Sequence, residues 1–192
     1  MLVPPSPVSS HFFVTRPPRS VSPGVLTVSL WLSIVGMVVA SAGDPRPTGG
    51  NPLRPASAEM RWVIEDTAAR SVTTRALIAR LGCTDAIVYV ERTASPQIPT
   101  ARTKLVATVA GARFIRIGIS TTASFADLGP FLAHELQHAV EIAERDDVRD
   151  DDAVRALYLK IGRARGGDRY ETEAARDVEW VVRSELRAKI GG

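Results

Sequence analysis

The chain has 192 residues, of which 45% are hydrophobic and 23% are charged, with 24 basic and 21 acidic residues. Residues 1–42 contain two of the arginines and no acidic residue, so the remainder carries 22 basic against 21 acidic residues. This balance gives no electrostatic case for nucleic-acid binding. The single cysteine, Cys83, excludes both an intramolecular disulfide and a cysteine-based zinc site. The remaining length is enough for one domain with its own core.

The N-terminal segment has the composition of a secretory signal peptide. Two arginines precede an apolar run at residues 25–39, and small residues follow in the order A-S-A. We therefore expect a signal peptide at residues 1–42. The alternative is an uncleaved N-terminal anchor, since the apolar stretch counted to its end approaches the roughly 20 residues that span a bilayer. Both alternatives predict a secreted or periplasmic protein, with membrane contact only if the segment is retained.

The next segment, residues 43–57, is rich in Pro and Gly and lacks apolar periodicity, which predicts a flexible linker. The predicted domain covers residues 58–192. It begins with an amphipathic helix at residues 58–81, because apolar residues recur there at spacings of three and four and stop before Gly82. Any break in this helix is expected at residues 71–74.

Three short segments rich in β-branched and aromatic residues come next and predict strands. They lie at residues 86–91, 104–109 and 112–120. The sequence Ala110-Gly111 separates the last two and is typical of a hairpin turn. The expected result is a short antiparallel sheet of about three strands.

After the sheet, the apolar period changes to 3.6 residues and predicts a helix at residues 125–144. It contains His134, Glu135 and His138, which form an HExxH motif. The two histidines lie about 40° apart around the helix and about 6 Å apart along it, so both imidazoles can reach one metal ion. Chance produces this motif about 0.002 times in a chain of this composition. The motif is typical of zinc hydrolases, in which the glutamate acts on a metal-activated water.

Two further helices are predicted after the motif. Residues 151–161 form the first, with acidic residues at its start, and a glycine-rich break leads to a final helix at residues 168–190. The predicted fold class is therefore α+β. Its order is an N-terminal helix, the sheet, the HExxH helix and two C-terminal helices.

This arrangement around an HExxH helix resembles the zincin fold over roughly the last 130 residues, with the motif as its specific part. The resemblance implies that the strand before the motif helix, at residues 112–120, aligns an extended peptide substrate along its edge. No histidine follows His138, so the metzincin pattern with a third histidine is excluded. The chain instead resembles a minimal gluzincin, a small exported metallopeptidase in which HExxH is joined by a downstream glutamate.

A catalytic zinc usually has three protein ligands, so one glutamate after the motif must join the two histidines. The candidates are Glu141, Glu144, Glu171, Glu173, Glu179 and Glu185. Glu141 lies about 10 Å along the helix from His134, too far for one ion, and is better placed to support a ligand. On a projection of the last helix, Glu171 falls within the apolar face and Glu173 falls on the exposed face. Glu171 is the predicted third ligand, and Glu173 is the runner-up.

A second resemblance supports the same choice. Glu171 with Ala174 and Ala175 resembles the E-x-x-A-D element of the gluzincin-type prenyl proteases, in which the glutamate binds zinc. The aspartate of that element orients a ligand histidine in the family, and Ala175 replaces it here. The competing alignment pairs Glu173 with Asp177, as in thermolysin-like enzymes.

Together these features predict an exported zinc metallopeptidase that hydrolyses peptide bonds. One Zn²⁺ ion would be held by His134, His138 and Glu171. Glu135 would be the general base, and a peptide or protein substrate would contact the loop at residues 92–103. Candidates for steadying the oxyanion are Tyr158, Tyr170 and Arg169. The alternative is a catalytically silent zincin-fold domain that binds metal or a partner; a di-iron site would need a second ExxH motif, which the chain lacks.

Overall fold

The computed structural model describes residues 50–95, 98, 100–166 and 169–188, all of which belong to one structural unit. The predicted signal peptide or anchor and the first part of the predicted linker lie outside these residues. Within the described ranges, no helix combines the length and the apolar character that crossing a bilayer requires.

The end of the predicted linker is a strand, β1 (Leu53–Pro55). It pairs in parallel with residues 88–90. Leu53 is only 2% exposed and belongs to the hydrophobic core. The prediction of a flexible linker is therefore wrong for this part of residues 43–57, because a single buried leucine between prolines was too short a signal to show a strand.

The predicted N-terminal helix is two helices, α1 (Ala58–Arg70) and α2 (Val72–Gly82). Ser71 separates them with an extended backbone, at φ −115° and ψ 121°. Its hydroxyl accepts a hydrogen bond of 2.9 Å from the backbone N–H of Thr74, which caps the first turn of α2. The break therefore falls where it was expected, because serine offers the backbone an alternative to continuing the helix.

Three longer strands complete a four-stranded sheet: β2 (Ala86–Thr93), β3 (Ala101–Val109) and β4 (Ala112–Ser120). The order across the sheet is β1-β2-β4-β3. The hairpin of β3 and β4 is antiparallel, as expected, but β4 pairs in parallel with β2, and β2 pairs in parallel with β1. The prediction of an antiparallel sheet of about three strands is therefore corrected to a mixed sheet of four.

The central position of β4 explains its burial. One face carries Ile115, Ile117 and Ile119, all at 0% exposure, and the other face carries the buried Gly118 and Ser120 together with the exposed Arg116. A strand that is paired on both edges and has one face in the core lies in the interior of its sheet. The alternation in its sequence could not reveal this, because strand direction depends on partners that lie far away along the chain.

The motif helix, α3 (Phe125–Ala143), packs against the sheet. Its apolar side supplies buried residues such as Leu132 and Leu136 to the same core as Ile115 and Ile117 of β4. This is the amphipathic burial that the 3.6-residue period predicted. The core therefore holds one face of α3 in place and leaves its ends and its opposite face to other contacts.

A buried arginine fixes the C-terminal end of α3. Arg113 of β4 is 1% exposed, and its guanidinium donates hydrogen bonds to the carbonyl oxygens of Ile142 at 2.9 Å and Arg145 at 2.6 Å. It also pairs with Asp85, which pairs in turn with Arg149. Carbonyl groups in the last turn of a helix lack partners within the helix, and a cation there also complements the helix dipole. No pattern in the sequence pointed to this contact.

The C-terminal part contains α4 (Asp151–Ile161), a two-stranded hairpin of β5 (Arg163–Ala164) and β6 (Tyr170–Glu171), and α5 (Glu173–Ala188). The bounds of α4 are those predicted. The last helix starts five residues later than residue 168, the predicted start. The hydroxyl of Thr172 accepts from the backbone N–H of Ala175 at 3.1 Å, which caps the first turn of α5. Glu171 therefore lies in a strand before the helix, so the helical projection does not explain its position.

Candidate metal centre

Two histidines on one face of α3 form the centre of the site. The ring centroids of His134 and His138 are 5.0 Å apart, and the rings meet at an angle of 72°. The carboxylate of Glu171 approaches from β6, with Oε1 at 3.4 Å from Nε2 of His134. One ligand atom from each of the three residues lies within 4.8 Å of the other two, so the group can hold a metal ion. The site thus joins α3 to the β5–β6 hairpin, in which Glu171 lies 33 residues after His138.

One buried atom indicates what this group needs. Among the described residues, Oε1 of Glu171 is buried and has no hydrogen-bond partner. A buried carboxylate oxygen without a partner is costly unless a cation compensates it. A divalent cation held by Glu171 and the two imidazoles would provide that compensation, so the residues present fit a metal ion.

The runner-up ligand lies elsewhere. Glu173 is exposed in the first turn of α5 and is not among the residues that line the cavity beside the histidines. The group of described residues that could hold a metal ion contains Glu171 instead.

A carboxylate supports each histidine on its Nδ1 side. Nδ1 of His138 lies 2.9 Å from Oε2 of Glu141, and Nδ1 of His134 lies 3.1 Å from Oε2 of Glu179. Each carboxylate favours the tautomer with the proton on Nδ1, which leaves the lone pair of Nε2 for a metal. Both histidines are therefore oriented by a carboxylate, as the ligand histidines of metal sites usually are.

Glu179 contacts His134 and can orient it. The E-x-x-A-D element has an aspartate for this role, and Ala175 replaces that aspartate here. The projection of the last helix included Ala174 and Val181 in its apolar face, but both are exposed. Ala175 and Val182 are fully buried, and Glu179 lies four residues after the first and three before the second. Centring the face on Ala175 would have identified Glu179 as an inward-facing carboxylate.

The support of His138 extends to the segment that carries Glu171. The hydroxyl of Thr172 donates to Oε1 of Glu141 at 2.8 Å. Burial raises the pKa of Glu141, but the hydrogen bonds from His138 and Thr172 outweigh this effect, and the pKa lies below its ordinary value. Burial lowers the pKa of His138, but the hydrogen bond to Glu141 and the nearby charges of Glu135 and Glu171 raise it above the ordinary value. One carboxylate thus orients a histidine and anchors the residue next to Glu171.

Glu135 lies beside the histidines and is 5% exposed. The hydroxyl of Thr103, on β3, lies 2.7 Å from its Oε2 and 2.9 Å from its backbone carbonyl oxygen. Burial raises the pKa of Glu135 above its ordinary value, against the opposing charges of His138 and His134 and the hydrogen bond from Thr103. Since Thr103 engages one carboxylate oxygen, the other remains for a second partner.

These groups line a cavity of about 550 Å³. One wall is β3, an edge strand of the sheet, and α4 with the β5–β6 hairpin forms another wall. The strand predicted to align substrate, residues 112–120, is β4, and no residue of this fully described strand lines the cavity. That prediction is wrong, because β4 uses both of its edges for pairing with β2 and β3. Residues 100–103 of the predicted substrate-binding loop do line the cavity.

The three candidates for steadying an oxyanion differ in position. The hydroxyl of Tyr158 lies 3.3 Å from both Nδ1 and the backbone oxygen of His138, on the side away from Nε2. Burial raises the pKa of Tyr158 well above its ordinary value, so the hydroxyl keeps its proton and can donate it to the backbone oxygen of His138. Tyr170 stacks on Tyr158 with centroids 5.5 Å apart, and both Tyr170 and Arg169 line the cavity.

Replacing Glu141 or Glu179 by glutamine is expected to weaken metal affinity about 10–100-fold, because the histidine loses its charged partner. Glu144→Gln is the matched control, since this exposed glutamate at the end of α3 pairs with Arg80 and lies outside the cavity. Affinity is measured by competition for Zn²⁺ with a chromophoric chelator. Thermal unfolding of the metal-free variants checks the fold. Unchanged affinity in both variants would contradict the role given to these carboxylates.

The structure brings together His134, Glu135, His138 and Glu171, which the sequence had singled out. It adds Glu179, which was considered only as a possible ligand. No family model, curated protein or solved structure matches this chain. The case for a function therefore depends on the chemistry of these residues.

Proposed function

We propose that this protein is a zinc metallopeptidase of the minimal gluzincin type. The observation that carries the proposal is the buried Oε1 of Glu171, which has no hydrogen-bond partner among the described residues and faces the histidine pair beside Glu135. An ordinary pair of core histidines would not need a buried carboxylate held against them. A metal ion at this centre would explain why the carboxylate of Glu171 is buried without a hydrogen-bond partner. The adjacent Glu135 explains why the centre would be catalytic.

The three ligands would be His134, His138 and Glu171. Two imidazoles and one carboxylate are a ligand set of catalytic zinc sites, which keep one coordination position open. When bound, zinc polarises a substrate carbonyl and lowers the pKa of water towards about 7. The supporting carboxylates Glu141 and Glu179 orient the histidines for this role.

Glu135 is the proposed general base. Its Oε2 accepts the hydroxyl of Thr103, so Oε1 would take a proton from the attacking water. The same carboxyl group would then give this proton to the departing amine. Burial of Glu135 keeps bulk water away from these transfers.

An extended peptide is the substrate that the cavity suits best. The edge strand β3 forms one wall and has a neighbour on only one side within the sheet. A peptide can add to such an edge through backbone hydrogen bonds, while its side chains enter the cavity. On the composition of residues 1–42, we further propose that the enzyme acts outside the cytoplasm.

The proposal is tested by comparing Glu171→Gln with Glu173→Gln. Glu171→Gln is expected to lower Zn²⁺ affinity by more than the roughly 10–100-fold typical of groups that only orient a ligand. This variant is also expected to lose peptide hydrolysis. Glu173→Gln, an exposed neighbour with the same chemical change, is expected to keep both. Zinc content is measured by mass spectrometry, and hydrolysis is measured on a proteome-derived peptide library.

Two results would contradict this assignment. Full zinc occupancy in Glu171→Gln, with loss in Glu173→Gln, would show that the wrong glutamate was chosen. Stoichiometric zinc in the unchanged protein with no cleavage anywhere in the library would favour the silent metal-binding domain.

A further inference from the structure

The wall of the cavity formed by α4 and the β5–β6 hairpin carries three arginines, which we call the arginine wall. Arg155 comes from α4, and Arg165 and Arg169 flank the turn of the β5–β6 hairpin. All three are exposed side chains that line the same cavity as the histidines. Positive charge is therefore concentrated beside the metal centre.

Two of these arginines lie directly opposite each other. The backbone N–H of Arg165 donates to the carbonyl oxygen of Arg169 at 2.9 Å, continuing the register in which Ala164 faces Tyr170. Like charges directly opposite across a hairpin are destabilising. Within the described part of the chain, neither guanidinium forms an ion pair with a carboxylate; Arg169 donates only to the carbonyl of Gly166. An anion placed between the two guanidinium groups would relieve this repulsion.

Several of the other charged groups that line the cavity have partners. Lys104 lies 3.8 Å from Asp151, and Glu179 lies 3.0 Å from Arg183. The carboxylates of Glu135 and Glu171 lie beside the histidines. Asp152 of α4 also lines the cavity, so the positive charge is strongest at the hairpin, where Arg165 and Arg169 form no ion pair with a carboxylate among the described residues.

This positive charge is local to the cavity. Beyond residue 42 the chain has 22 basic and 21 acidic residues, a net charge of +1. A molecule of this composition has no general attraction for anions. The arginine wall would therefore attract negative charge to one place, next to the proposed catalytic centre.

We propose that Arg155, Arg165 and Arg169 form a subsite for a carboxylate of the substrate. The inference rests on the proposed function in taking that substrate to be a peptide. The carboxylate comes either from an acidic side chain near the cleaved bond or from the peptide's C-terminus. Guanidinium groups suit both, because they bind carboxylates through paired N–H donors.

The test measures peptide binding to the Glu135→Gln protein loaded with Zn²⁺, so that no turnover is needed. The probes are fluorescent dodecapeptides of one sequence that differ at a single position as Glu, Gln or Lys. Each is made with a free and with an amidated C-terminus, and fluorescence anisotropy gives the dissociation constants. The Glu peptide, or the peptide with a free C-terminus, is expected to bind about tenfold more tightly than its neutral counterpart.

The preference is expected to disappear when Arg165→Gln and Arg169→Gln are combined. It should persist with Arg176→Gln, a control arginine that is exposed on α5 and does not line the cavity. Comparison of the Glu and Gln peptides tests side-chain recognition, and comparison of the free and amidated ends tests recognition of the terminus. Equal binding of all peptides, or a preference that survives the double substitution, would overturn the subsite.

The two proposals can fail separately. If the unchanged protein cleaves library peptides without preference for acidic residues or free termini, the subsite is wrong while the peptidase stands. If it cleaves nothing but Glu135→Gln still binds carboxylate peptides through Arg165 and Arg169, the subsite stands without the peptidase.

Discussion

Replacing Glu135 by glutamine is expected to lower kcat/KM for peptide hydrolysis by about 10²–10⁴-fold, the range attributed to general acid–base catalysis. Zinc content should stay at one ion per chain, because Glu135 is not among the three residues that can hold the metal. Glutamine has nearly the same shape and can still accept the hydroxyl of Thr103 through its carbonyl oxygen. The fold should therefore survive, and the loss should fall on kcat. Steady-state kinetics and metal analysis of the same preparation check both parts.

Glu144→Gln is the control for this substitution, since it makes the same chemical change on an exposed side chain at the end of α3. It should retain both zinc and activity. If Glu135→Gln hydrolyses peptides as fast as the unchanged protein, Glu135 is not the general base. If Glu135→Gln also loses its zinc, its role is to maintain the centre rather than to transfer a proton.

Replacing Arg113 by methionine is expected to lower the free energy of unfolding by about 3–5 kcal/mol, the usual cost of removing one partner from a buried ion pair. The substitution removes the donors to the carbonyls of Ile142 and Arg145 and leaves Asp85 with Arg149 alone. Buried carbonyl groups without partners add to the loss. Urea unfolding of the metal-free protein measures the change, with the slope against urea concentration as a check on two-state behaviour.

Arg116→Met is the matched control, because Arg116 lies on the same strand with a side chain that is 54% exposed. Its contact with Glu91, at 3.8 Å, is a surface pair, so its loss should change stability by no more than about 1 kcal/mol. Equal losses for the two variants would show that the contacts of Arg113 with the end of α3 are not what stabilises this region.

The strongest periodic signals predicted local structure well. The strand at residues 112–120 and the helix at residues 151–161 have the predicted bounds, and the motif helix ends within one residue of its predicted end. In each, neighbouring residues decide the backbone conformation through pattern and capping. The strand β1 escaped detection because three residues with one buried leucine contain no period.

The structure places Glu171 beside the histidines, although part of the reasoning that selected it was mistaken. The projection placed Glu171 on a helical face, whereas the structure places it in β6, ahead of the helix. The resemblance to an E-x-x-A-D element pointed to the same residue without depending on that helix. The start of α5 could not be predicted, because the glycine-rich segment before it supports either a loop or a hairpin.

The sequence by itself determined the α+β class through the periods of its apolar residues. It also determined that His134, Glu135 and His138 lie together, because one turn of one helix fixes all three. Only the tertiary structure decided how strands far apart in the chain pair, which edge faces the cavity, and which carboxylates reach the histidines. Glu171, Glu179 and the arginine wall lie on elements that meet α3 only after the chain has folded. Helical spacing is a short-range property of the backbone, whereas this convergence is set by the packing of a core to which elements from distant parts of the chain contribute.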